Sequence, residues 1–189
     1  MSSEIILVSG LPRSGTSLMM QMLEQGGVEV VTDHIRAADV DNPRGYYEFE
    51  KVKKIKQDAS WLPQMRGKAF KIVSQLLYDL PPGEFYRIIF MERNLDEVLL
   101  SQTKMLERLG RSIPPPTEMK RAFTLHIQKL RQWLERQPSM RTLYVPYRDL
   151  IQRPPEQVKR VSEFLGGKLD IERMVKTADP LLYRNRYPP

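Results

Sequence analysis

The sequence predicts an α/β fold in three layers, α/β/α, around a mostly parallel central sheet of about five strands. Three observations lead there. Apolar, partly β-branched runs of strand length recur at residues 4–9, 28–31, 69–73, 86–91 and 141–145. The stretches between them are long enough for helices, and several carry apolar residues every three or four positions. A glycine-bearing turn joins the first run to the first helical stretch, as in a βα unit with a parallel sheet.

Taken in order, Ile5, Ile6, Leu7 and Val8 form a short continuous apolar run, the pattern of a strand covered on both faces, and Gly10 ends it. From Gly15 to Gln25 the spacing turns helical through Leu18, Met19, Met22 and Leu23, and Gly26 and Gly27 stop it. Residues 96–109 place Val98, Gln102, Met105 and Leu109 on one face, with Asn94 in position to cap the start and Glu97 three residues on. Residues 117–136 repeat Met119, Phe123, Ile127, Leu130 and Leu134 at helical spacing. Pro154 and Pro155 open a helix that buries Val158, Val161 and Leu165 and ends at Gly166. Pro114, Pro115 and Pro116 make a stiff surface connection.

A chain of 189 residues fits one domain over 1–189. Without cysteine there is no disulfide framework and no thiolate nucleophile or metal cluster, and two histidines leave little from which to build a zinc site. The first apolar run is too short for a membrane span or a secretory leader, so a cytoplasmic protein is expected. Thirty Lys plus Arg against 23 Asp plus Glu give a net charge of +7. With a pI near 9.6 this favours anionic partners such as nucleotides, phosphates, nucleic acid or an acidic membrane surface. The charges are scattered, and a merely solubilising basic surface fits them equally. Aromatic residues make up 8% and form no stacking pattern, which puts nucleic acid last among the anions.

The segment Gly10-Leu11-Pro12-Arg13-Ser14-Gly15-Thr16-Ser17 lies between the first strand and the first helix, where backbone N–H groups and the helix dipole converge on an anion. Against the nucleotide-triphosphatase loop, its two glycines and Ser17 are in register, but Thr16 stands where a lysine would reach the β- and γ-phosphates. Arg13 can restore a cation there, a charge-assisted contact contributing about 1.5–3 kcal/mol. The plainer reading is a glycine-rich turn and nothing more.

The stretch from Pro12 to Ser17 resembles the 5′-phosphosulfate loop of sulfotransferases that use 3′-phosphoadenosine-5′-phosphosulfate (PAPS). Residues 87–101 resemble that family's 3′-phosphate motif, a strand ending in Arg93 with Ser101 eight residues later on the next helix, although Leu95 replaces the family's usual Pro. Residues 143–166 resemble its YEDL segment and the helix ending in Phe164-Leu165-Gly166, with Arg148 in place of Glu. Asp41-Asn42-Pro43-Arg44-Gly45-Tyr46-Tyr47-Glu48 resembles a segment of a mainly bacterial branch, so the likeness covers nearly the whole chain. It implies a P-loop-like version of the three-layer fold and PAPS as donor. Arg13, Ser14, Gly15, Thr16 and Ser17 would hold the 5′-phosphosulfate, and Arg93 and Ser101 the 3′-phosphate. Tyr147 is either a contact to the adenine or a core aromatic, and Arg184 with Arg186 would fold back onto the 3′-phosphate.

Sulfuryl transfer needs a base for the acceptor's proton and positive charge at the leaving phosphate. Lys71 aligns with a lysine of the cytosolic members, while Val73 stands where their histidine would be; Lys71 either contacts the bridging oxygen or is an ordinary strand-edge lysine. Other branches use a Glu after the first helix, which makes Glu48 the leading base, the alternative being a solvated Glu ahead of a helix at 51–55. His34 is the runner-up base, or simply an exposed loop histidine, and His126, at helical spacing from Phe123 and Leu130, reads as the border of the core.

The resemblance therefore implies in-line transfer of a sulfuryl group from PAPS to a hydroxyl or amine, with no metal because Arg, Lys and N–H groups replace the Mg²⁺ clamp of phosphoryl transfer. The acceptor is open among small molecules, carbohydrates, lipids and peptides; residues 32–47 and 104–117 are expected to face it. Competing readings are a nucleotide kinase or hydrolase with a degenerate loop, against which Thr16 speaks, a non-catalytic module for anions or nucleic acid, and an inactive PAPS-binding relative.

Overall fold

In the β-strand the side chains alternate between two faces, and in the first run both faces are buried: Ile5 and Leu7 point to one side of the sheet, Ile6 and Val8 to the other. A computed structural model describes residues 3–33, 35, 37–39, 42, 45–179 and 183. Its sheet is built from β1 (Glu4–Gly10), β2 (Ala69–Val73), β3 (Phe85–Glu92) and β4 (Met140–Pro146), ordered β2-β1-β3-β4 and parallel throughout. The expectation of about five strands is thus corrected to four among the described residues. Residues 28–31 carry the apolar signature of a strand but make only one isolated parallel bridge, Val30 to Ala69. The cause is exposure: Val28, Val30 and Val31 are only half-buried at the outer side of β2, so no second face holds the run in the ladder.

The helices are α1 (Thr16–Gln25), α2 (Leu95–Arg108), α3 (Pro116–Leu134), α4 (Tyr147–Gln152), α5 (Pro154–Phe164) and α6 (Ile171–Lys176). Three short 3₁₀ segments lie at Glu50–Lys54, Leu62–Met65 and Ser74–Asp79. One face of the sheet is covered by α1, α4, α5 and α6 through Met19, Leu23, Leu150, Val158, Val161 and Met174. The other is covered by α3, with Leu130 and Leu134, and by the 3₁₀ segments, with Val52, Ile55, Leu62 and Leu77. This is the three-layer arrangement, with two cores separated by the sheet.

The helix boundaries follow from their caps. Asn94 accepts hydrogen bonds from Asp96 N at 2.8 Å and Glu97 N at 3.4 Å, which starts α2. Leu109, expected on the buried face, is instead 53% exposed, because α2 ends at Arg108 and Leu109 is its C-cap. Gly26 N bonds to Met22 O at 2.8 Å and Gly27 takes φ +92°, closing α1 where the glycine pair predicts.

The topology decides where a ligand can sit. The chain leaves β1 towards β2 on one side, and β3 pairs with β1 on the other, so connections diverge above the carboxyl ends of the two central strands. Open α/β sheets place their clefts at such a switch point. The loop after β1, Arg93 after β3 and Tyr147 after β4 all leave the sheet at this edge.

Candidate active site

The segment between β1 and α1 turns on three left-handed backbone positions, of which two need glycine for a stated reason. A Cβ on Gly10 would fall 2.4 Å from Ser14 Oγ and 2.7 Å from Met91 O, and one on Gly15 would fall 2.3 Å from Tyr147 Cδ2. Arg13, at φ +68°, is the third. Gly15 is the N-cap of α1 and offers no side-chain cap, and the first turn carries no acidic residue. Among the described residues, the N–H groups that begin the helix therefore meet neither a side-chain cap nor an acidic residue of their own first turn. Ser14 is buried, and among the described residues its Oγ has no hydrogen-bond partner. A buried hydroxyl without a partner is costly unless something binds there.

A cleft of about 590 Å³ opens above this loop, a size suited to a nucleotide. Arg13, Gly15, Thr16, Ser17, Lys71, Arg93, Ser101, Tyr147 and Glu48 all line it. The structure thus brings eight of the expected cofactor or base residues together with the candidate lysine around one space, Ser14 lying just beneath. Residues His34, Arg184 and Arg186, with Asp41, Pro43 and Arg44 of the bacterial segment, lie outside the described residues.

The two expected phosphate sites are joined by Arg13. Its Nε donates to Ser101 Oγ at 3.0 Å, and its carbonyl accepts from Arg93 Nη1 at 3.2 Å. The neighbouring Asp96 accepts from Lys120 Nζ at 2.6 Å. Arg93 Nε donates to Glu97 Oε2 at 2.9 Å, one helical turn further on, and both side chains are buried. Glu97 therefore does not reach back to cap α2 in the capping-box manner. Tyr147 belongs to the core, one of its two readings, and its ring also walls the cleft, packed on Gly15 and 4.7 Å from the Arg93 guanidinium.

On the opposite wall, Lys71 Nζ, from β2, donates to the carbonyl of Tyr46 and lies 3.5 Å from Ser17 Oγ. Ser17 Oγ donates to the same carbonyl at 3.2 Å. The Tyr46 hydroxyl donates to Asp39 at 2.7 Å, and the Glu48 carbonyl accepts from Thr32 Oγ1 at 3.0 Å and Asp33 N at 3.1 Å. Glu48 precedes the 3₁₀ segment at Glu50–Lys54 and its half-buried side chain lines the cleft. His126 sits away from this space, half-buried, with Nε2 2.8 Å from Ser74 Oγ, and burial lowers its pKa below the ordinary 6.5.

Two residues that the sequence did not point to as part of this site stand behind Arg93. Glu97 could have been found from its four-residue spacing after Arg93. Tyr183, whose hydroxyl donates to Glu97 Oε1 at 2.7 Å, lies 86 residues away and leaves no local signal.

With this geometry in view, the family model described as "Sulfotransferase domain" matches residues 3–185. The chain belongs to the sulfotransferase domain family. Solved relatives have the same fold at low identity. The sulfotransferase domain of the Synechococcus PCC 7002 olefin synthase is 15% identical, with all of this chain aligned to 90% of that one at a TM-score of 0.59. The sulfotransferase domain from the curacin biosynthetic pathway is 14% identical over 93% of this chain and 78% of that one, with a TM-score of 0.55. A sulfotransferase from Alicyclobacillus acidocaldarius is 13% identical over 98% of both chains, with a TM-score of 0.51. The P-loop-like α/β fold of this sulfotransferase-family chain is thereby established. Among the described residues, no helix is long and apolar enough to cross a membrane.

Proposed function

We propose that this sulfotransferase-family chain uses PAPS, and that it passes the sulfuryl group to a hydroxyl or amine of an acceptor and releases adenosine 3′,5′-bisphosphate. One observation carries the donor assignment. Arg13 links the phosphate loop to both Ser101 and Arg93, so cations and donors suited to the two phosphorylated ends of one adenosine converge on a single cleft. The unpartnered Ser14 hydroxyl and the uncapped start of α1 fit an anion at the loop.

In this reading the backbone of Gly15, Thr16 and Ser17, with the side chains of Arg13, Ser14, Thr16 and Ser17, binds the 5′-phosphosulfate. Arg93 and Ser101 bind the 3′-phosphate, with Arg184 a contributor from the C-terminal segment, and Tyr147 walls the adenosine. PAPS supplies an activated sulfuryl group on a phosphate leaving group. Lys71 Nζ places positive charge beside the loop where negative charge accumulates on departure. The Glu48 carboxylate takes the acceptor's proton, with His34 as the competing base. The scheme requires no metal, and the acceptor is a small molecule, carbohydrate, lipid or peptide presented from the side of Glu48 and Lys104. The same reading places the protein in the cytoplasm, where nucleotide donors are available.

Titration calorimetry with adenosine 3′,5′-bisphosphate and with ADP tests it. Binding of the bisphosphate roughly tenfold or more tighter is expected, from charge-assisted contacts to the 3′-phosphate. Equal affinity, or Mg²⁺-dependent hydrolysis of ATP, would favour the nucleotide-hydrolase reading instead.

A further inference from the structure

Arg93 is held on more than one side. Its guanidinium lies 4.7 Å from the centre of the Tyr147 ring and 5.3 Å from that of Tyr183, and the two rings meet edge to face, 5.2 Å apart at 89°. Its Nε is bonded to Glu97 Oε2, and the other oxygen of the same carboxylate accepts from the Tyr183 hydroxyl. Tyr183 itself is buried. A buried carboxylate is costly unless both its oxygens are engaged. Here one oxygen is engaged by the side chain that faces the cleft and the other by the C-terminal segment. Burial and the bond to Glu97 push the Tyr183 phenol up to about 12, so near neutral pH it is a donor to Glu97 and not a competing anion.

We propose that Tyr183 is a positioning residue of the donor site: through Glu97 and by its ring it fixes the direction in which Arg93 presents its guanidinium, so that the C-terminal segment sets affinity for a 3′-phosphate. The inference rests on the PAPS reading. The links run Tyr183 to Glu97, Glu97 to Arg93, and Arg93 to the carbonyl of Arg13 in the phosphate loop. Remove the hydroxyl, and Glu97 Oε1 loses that partner while both rings stay against the guanidinium. Remove the ring as well, and Arg93 gains rotational freedom that a 3′-phosphate must then take away on binding. A ligand without that phosphate does not draw on Arg93 in this way, so its affinity stays.

The test uses the full chain and two probes, adenosine 3′,5′-bisphosphate and adenosine 5′-phosphate, measured by calorimetry on wild type, Tyr183→Phe and Tyr183→Ala. Tyr183→Phe is expected to weaken the bisphosphate by roughly threefold to tenfold, and Tyr183→Ala by roughly tenfold to thirtyfold, with adenosine 5′-phosphate held within about twofold. Partial rescue by Phe over Ala is the signature of the ring's share. Should Tyr183→Ala fail to fold, Tyr183→Phe alone decides through the change in selectivity. Equal weakening of both probes would make Tyr183 a merely structural residue and overturn the inference, as would unchanged selectivity in variants of a wild type that prefers the bisphosphate. A wild type without that preference removes the PAPS reading itself, and with it this inference.

Discussion

Gly15 is the position where the smallest possible change should do the most damage. Replacing it by Ala puts a methyl 2.3 Å from Tyr147 Cδ2 and 2.7 Å from Cε2, well inside the closest approach that side chains tolerate. The ring cannot swing aside cheaply, because Tyr147 is buried, packed edge to face on Tyr183 and covered by the Arg93 guanidinium. Forced overpacking of this kind costs about 1–3 kcal/mol. The backbone adds to it, since φ is +100° at Gly15 and an L-residue with positive φ loses roughly 1–2 kcal/mol. The sum, about 2–5 kcal/mol, is a large share of the roughly 5–15 kcal/mol by which a domain is stable. In urea denaturation, with a slope of about 2 kcal/mol/M, the midpoint should fall by roughly 1–2.5 M with the slope unchanged. A cycle with Tyr147→Ala separates the two causes: removing the ring leaves space for the methyl, so the pair should be coupled by about 1 kcal/mol or more. A loss below about 0.5 kcal/mol for Gly15→Ala, or strict additivity in the cycle, would refute the close packing of loop against ring.

Two further predictions concern the cleft and the core. Glu48→Gln should lower turnover by roughly 10²–10⁴-fold while adenosine 3′,5′-bisphosphate binds within about twofold of wild type, measured by single-turnover kinetics and calorimetry; retained turnover together with its loss in His34→Ala would move the base to His34. His126 has its pKa lowered by burial, so the unfolded chain binds its proton more readily than the native one. The stability it contributes is present above pH 6.5 and is lost as pH falls below that value through the lowered native pKa. Melting temperatures taken downwards from pH 7 should therefore fall more steeply in wild type than in His126→Gln, and an NMR titration midpoint above 6.5 would contradict this.

What could be read from the sequence is what is local in the chain. The loop after β1 announces itself because Gly10, Gly15 and Ser17 are contiguous with the strand before and the helix after, and the backbone positions that need glycine lie within those few residues. The pair Arg93 and Ser101 is legible because a helix fixes their separation. The pairing of Arg93 was only half legible: Asp96 and Glu97 lie three and four residues on, both within helical reach, and the Tyr183 hydroxyl that also engages Glu97 is too distant in the chain to leave a local signal. The strand count failed at residues 28–31 for a related reason: an apolar run reports that burial is wanted, not that a second layer is there to provide it. The 3₁₀ segments that cover one face of the sheet are four to six residues long and have no period to detect.

With Thr16 where the nucleotide-triphosphatase loop has a lysine, positive charge must come from elsewhere, and this bears on how the candidate catalytic residues can be tested. In the nucleotide-triphosphatase loop the cation belongs to the helix that holds the phosphates. Here Lys71 is on β2, opposite Val8 of β1, and its ammonium reaches Ser17 while bonded to the Tyr46 carbonyl. That carbonyl belongs to the same short segment as Glu48, two residues on. In the proposed scheme the charge that meets the leaving group and the carboxylate that takes the proton are therefore positioned by one link. Lys71→Met removes both the charge and one anchor of the Glu48 segment, and its loss of activity cannot be assigned to electrostatics alone. Lys71→Arg keeps a cation but replaces a compact ammonium by a planar fork, so the contact to the Tyr46 carbonyl need not return with the charge. The two roles separate only when each variant is followed by bisphosphate affinity, which reads the charge beside the loop, and by the pH dependence of turnover, which reads the base.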